Sequence, residues 1–168
     1  MRVPCYGPGG QIPPPDLVAA LYMIDDMATE RVSFWAAHWL ADGMDGDALR
    51  ELAGMDGSDP PAVREKLADA LADTHAPIPG DIREAVTTVY CDLARLHLDG
   101  RISAEWLITK IEELIVSADY VGDYLDQPLG ATYGFHDEWG PEWGRPQDEL
   151  AALFREACIE QTARRATR

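Results

Sequence analysis

The sequence predicts an all-α fold, a single-domain bundle of about six helices with an irregular Gly/Pro/Trp loop before the last helix. Three observations carry that expectation. Apolar residues recur at spacings of three and four through most of the chain. Prolines, glycines and capping side chains fall mostly between these periodic stretches. Nowhere do β-branched residues alternate over enough positions to make a strand. With 168 residues, 46% hydrophobic and 26% charged, the chain has an ordinary globular composition and is long enough to bury one core.

Residues 1–15 hold five prolines and three glycines and read as a mobile arm. The helical domain is expected over 16–163 and a basic tail over 164–168. Asp16 follows the proline run and is positioned to cap a helix. From Leu17 to Leu40 the apolar positions keep helical spacing, with no Pro or Gly before Gly43, which predicts one long helix. A short helix follows at Asp47–Ala53, stopped by Gly54. Ser58-Asp59-Pro60-Pro61 is a start signal, because a capping side chain precedes proline at the first helical positions. The helix it opens ends near Thr74, ahead of Pro77 and Pro79. Asp81 opens the next helix, Gly100 ends it, and Ser103 caps a successor whose periodicity runs to Leu125. Residues 127–146 lose all period. The last helix spans about Gln147–Ala163.

Charge is the unusual property. Thirty acids against 14 bases give a net −16, and the excess is spread along all thirds of the chain. Such a field repels nucleic-acid phosphates and anionic lipid and favours cationic partners. No stretch approaches the length of a membrane span. Cys5, Cys91 and Cys158 are odd in number and widely spaced, which argues against a disulfide scaffold or a structural zinc site. The N-terminus lacks the apolar run of a signal peptide, so a reducing cytoplasm is the expected location.

Catalytic signatures are weak. Asp99-Gly100-Arg101-Ile102-Ser103 looks like half of a calcium loop, but aligning Gly100 with the invariant glycine places Arg95, His97 and Trp106 where oxygen ligands belong. Helix stop, turn and cap explain the same residues. No nucleophile-elbow, phosphate-loop or dinucleotide motif occurs, and no cofactor is expected. His136-Asp137-Glu138 is the one local set with metal-ligand chemistry. Trp35 and Trp39, one turn apart on the apolar face, belong to the core.

Phe34-Trp35-Ala36-Ala37-His38-Trp39-Leu40-Ala41-Asp42-Gly43, followed by Ala48-Leu49-Arg50-Glu51-Leu52-Ala53-Gly54, is the most specific text in the chain. It resembles uncharacterised small helical proteins of high-GC actinobacteria, in which a Trp-Leu-x-x-Gly turn precedes Leu-Arg-Glu-Leu-Ala-Gly. Twelve arginines against two lysines agree with a GC-rich source. The resemblance covers about a third of the chain and implies helicity, with no assigned activity or site residues.

The functional expectation is a non-enzymatic protein that binds a basic protein partner. An immunity protein against a toxin domain is its concrete form. The partner-binding candidates are the acids Asp25, Asp26, Glu30, Asp42 and Asp45, and the loop residues Phe135, Asp137, Glu138, Trp139, Glu142 and Trp143. Aromatic anchors inside a charged rim have the composition of an interface hot spot. The alternatives are a metal-dependent enzyme using His136, Asp137 and Glu138, and a structural or regulatory subunit of a larger assembly.

Overall fold

The structure, a computed structural model, describes residues 11–164. Residues 1–10 of the expected arm, with Cys5, and residues 165–168 of the expected basic tail lie outside the described residues. The fold is all-α. The helices are α1 (Pro15–Met23), α2 (Thr29–Ala41), α3 (Asp47–Ala53), α4 (Pro60–Asp73), α5 (Ile82–Leu98), α6 (Ala104–Ser117), α7 (Gly122–Leu125), α8 (Phe135–Glu138) and α9 (Gln147–Ala163), with a 3₁₀ turn at Gly130–Thr132. Among the described residues no helix is long and apolar enough to cross a membrane. The helices gather into two compact units, Met1–Gly80 and Asp81–Arg168.

In the first unit α3 packs on α4 and α2, and α4 also meets α1 and α2. The buried positions include Leu17, Val18 and Leu21 of α1, Trp35 and Trp39 of α2, Leu49 and Leu52 of α3, and Leu67 and Leu71 of α4. Each such side chain contributes about 1.5–3 kcal/mol on burial. The last residues of the expected arm belong to the packed helical unit. Pro13 and Pro15 are buried, α1 already starts at Pro15, and the Trp39 indole N–H donates to the Pro13 carbonyl at 2.9 Å. Asp16 therefore lies inside the first turn instead of capping it.

The single long helix expected from Leu17 to Leu40 is two helices. Asp25 adopts a left-handed conformation (φ 56°). Its N–H donates to the Tyr22 carbonyl at 3.2 Å, and the Asp26 N–H reaches the Leu21 carbonyl at 3.0 Å. This paired ending is normally built on glycine. Aspartate tolerates the left-handed region better than most residues, so the helix ends without a glycine to announce it. The same device ends α6 at Ser117, short of the expected Leu125. Asp119 has φ 53°, and the Tyr120 N–H reaches the Ile115 carbonyl at 3.0 Å.

Helix α3 is capped from a distance. Gly46 precedes it without a side chain to offer, and the Leu49 N–H donates instead to Asp73 Oδ2 of α4 at 3.0 Å. A Cβ on Gly46 would sit 2.1 Å from Asp73 Cγ. The missing side chain makes room for the cap.

The second unit pairs α5 with α9, and α6 with α8 and α7. Asp81 and Ser103 cap α5 and α6 as expected, accepting from the Glu84 and Trp106 N–H groups at 2.8 and 3.1 Å. Val86, Tyr90, Leu107, Ile111, Ile115, Leu150 and Phe154 are among its buried side chains. Burial pushes the Tyr90 phenol above its ordinary range. A buried polar cluster ties the start of the 127–146 segment to α9. Gln161 accepts from the Leu129 N–H at 3.2 Å and donates to Gln127 Oε1 at 3.0 Å, while the Cys91 thiol donates to the Gln161 carbonyl at 3.0 Å. Gln127 donates in turn to the Asp123 carbonyl at 2.8 Å. The segment is thus less irregular than its composition suggests, carrying the 3₁₀ turn and α8.

Candidate functional site

The predicted site residues fall into both units. In the first, Asp25 lies in the turn between α1 and α2, where its carboxylate meets Arg64 of α4 at 2.6 Å. Asp26 beside it is half-buried, and Glu30 is exposed on the first turn of α2. Asp42 and Asp45 are exposed in the turn after α2. Asp45 shares Arg50 with Asp47, at 2.6 and 2.8 Å. Exposed pairs of this kind contribute about 0–1 kcal/mol, but they neutralise part of the acidic field at its source. Asp25 and Asp45 are therefore weaker attractors for a partner than their charge alone implies.

In the second unit the 135–143 candidates surround a clamp. The Glu138 carboxylate accepts from Arg145 Nε and Nη2, both at 2.8 Å, and from the Arg145 backbone N–H at 3.3 Å. These bonds hold the Glu138 carboxyl below its usual range and raise the Arg145 guanidinium. The same guanidinium lies 5.0 Å from the centre of the Phe135 ring, within cation–π range. Close approach is needed here: a Cβ on Gly144 would sit 2.6 Å from the Glu138 carbonyl oxygen. Trp139 is half-buried, so of the two loop tryptophans it is the one that packs. Trp143 is 74% exposed, between Glu142 and the clamp. Phe135 and Glu138 are half-buried parts of the scaffold, whereas Asp137, Glu142 and Trp143 are free to meet solvent.

Beside the clamp lies a groove of about 290 Å³ between α6 and α8, lined by Thr109, Glu112, Glu113, Val116, Ser117 and His136. The His136 ring nitrogen approaches the Thr109 hydroxyl at 3.4 Å. The rings of Tyr120 and Tyr133 meet edge to face, 5.7 Å between centres. The Tyr133 phenol is raised above its ordinary range, first by its hydrogen bond with Tyr120 and then by partial desolvation and the nearby carboxylates of Glu112 and Asp137. Glu112 and Glu113 lie on the face of α6 opposite its buried side chains. Residues 109, 112, 113, 116 and 117 recur at helical spacing, with Val116 apolar among polar neighbours, and that was the available signal.

No family model, curated protein or solved structure matches this chain.

His136, Asp137 and Glu138 do not assemble the metal site considered from sequence. Glu138 is turned to Arg145 and His136 to Thr109. Among the described residues no group of three or more His, Cys, Asp or Glu side chains is placed to hold a metal ion. Cys91 and Cys158 are buried thiols, and burial pushes Cys158 up to about 12, away from thiolate chemistry.

Proposed function

We propose that the protein is a non-enzymatic binding protein for a basic protein partner, an immunity or inhibitor protein in its concrete form. The observation that carries the reading is Trp143, a large aromatic 74% exposed beside Glu142 in a chain of net charge −16. A rigid indole inside a charged rim is what an interface anchor requires, and a single-sign field speeds encounter with an oppositely charged surface. The clamp of Glu138, Arg145 and Phe135 supports the same reading, since a pre-ordered loop loses less entropy on binding. The exposed acids Glu30 and Asp42 contribute to steering. The same charge disfavours nucleic acid as a partner. The buried thiols of Cys91 and Cys158 accord with a reducing cytoplasm, and the actinobacterial resemblance remains the proposed origin.

Calorimetric titration against Arg/Lys-rich proteins encoded beside the gene tests the proposal. A saturable complex is expected whose association slows as salt is added. Trp143→Ala is expected to weaken that complex by about 2 kcal/mol with little change in melting temperature, because the side chain is mostly solvated in the free protein. No complex with any neighbour at low ionic strength, or unchanged affinity in Trp143→Ala, would overturn it.

A further inference from the structure

We propose that the groove between α6 and α8 is a subsite for one arginine side chain of the partner protein, a proposal that rests on the binding function argued above. Charge is the first ground. Asp25, Asp45, Glu51 and Glu138 each already hold a cation of this chain, whereas among the described residues no Lys or Arg forms an ion pair with Glu112, Glu113 or Asp137. Their charge is left over for a ligand.

Shape is the second. At about 290 Å³ the groove lies at the lower end of small-molecule sites, roughly 300 Å³ upward, which suits one long side chain rather than a helix or strand. Its surface is mixed in the way an arginine is mixed. Val116, half-exposed in the groove wall, offers an apolar surface to a methylene stem, and Glu112 and Glu113 offer oxygens to a planar fork of donors. Just past the end of α6, outside the groove lining, the exposed Tyr120–Tyr133 pair offers ring surface on which a guanidinium lies more favourably than a compact, strongly hydrated ammonium.

The test uses free amino-acid amides as probes on the full chain, followed by amide NMR shifts. N-acetyl-L-arginine amide is expected to shift residues 109–117 and 133–137 saturably, with Kd on the order of millimolar. The uncharged citrulline analogue is expected to bind about tenfold more weakly and the lysine analogue several-fold more weakly. Glu112→Gln and Tyr133→Leu are each expected to weaken the arginine probe about fivefold or more, with the remaining spectrum unchanged. Absence of saturable shifts at the groove would overturn the proposal, and so would equal binding of citrulline or lysine amide, or shifts confined to the acids of the first unit. Because the probes are not proteins, this result is independent of whether a basic protein partner is found.

Discussion

At the scale of single residues, Gln161 ties three parts of the second unit together. Its side-chain oxygen serves Leu129, its nitrogen serves Gln127, and its backbone carbonyl serves Cys91. Gln161→Leu keeps the volume but leaves the Leu129 N–H and Gln127 Oε1 buried without those partners. An unmet buried group costs about 1–3 kcal/mol, so a total loss of about 2–4 kcal/mol is expected in a denaturant titration. A loss below about 1 kcal/mol would show that the cluster is replaceable. Glu138 makes a different prediction, about pH. Its folded pKa lies below the unfolded value because Arg145 binds the charged form. The stabilisation it supplies is therefore present above the unfolded value and is lost as pH falls through the lower, folded one. A carbon-detected titration of the Glu138 carboxyl should show the depressed value, and Glu138→Gln should remove that part of the acid dependence. Titration at an ordinary glutamate pKa would contradict the clamp.

At the scale of elements, what could be read from the sequence depended on whether a helix end is written in local residues. The ends at Asp59, Asp81 and Ser103 were legible because a capping side chain lies three residues before the N–H it accepts. The ends at Asp25 and Asp119 were not, since left-handed aspartate is decided by the packing around it and no glycine marks the place. The candidate site divides in the same way. Trp143 and Glu142 could be named from composition, whereas the engagement of Glu138 by Arg145 and the groove beside Tyr133 depend on which chain segments meet. The α3 cap is equally invisible, as Leu49 and Asp73 are 24 residues apart. Asp73→Ala is expected to cost about 1 kcal/mol. Gly46→Ala is expected to cost more, because its Cβ would clash with the Asp73 carboxyl. The two are in contact, so their costs should not add. A double-mutant cycle by thermal melting in which they add fully would show that Gly46 is not there to admit Asp73.

At the scale of the whole molecule, −16 is a cost of folding as well as a device for encounter. Gathering 30 carboxylates into one folded chain raises self-repulsion, and salt relieves it. Taking NaCl from about 10 mM to about 150 mM shortens the screening length from about 30 Å to about 8 Å. The melting temperature should rise by about 2–4 °C, the shift that about 1 kcal/mol gives in a chain of this size. A fall would mean that internal pairs such as Arg64–Asp25 and Arg83–Asp123 outweigh the repulsion. Salt is thus expected to act in opposite directions on the two properties, raising stability while slowing association with a basic surface.

The bond from Leu49 to Asp73 also orders events in time. Seven residues are too few to hold a helix in water unaided, and α3 draws its cap from the last turn of α4. During folding, α3 should therefore persist only after the chain has reached Asp73 and α4 has closed. In the native state, each fraying of the α4 terminus should release the first turn of α3 with it. Hydrogen exchange at Leu49 should then follow the rate of the last amides of α4, so that two helices 24 residues apart at their joint open as one.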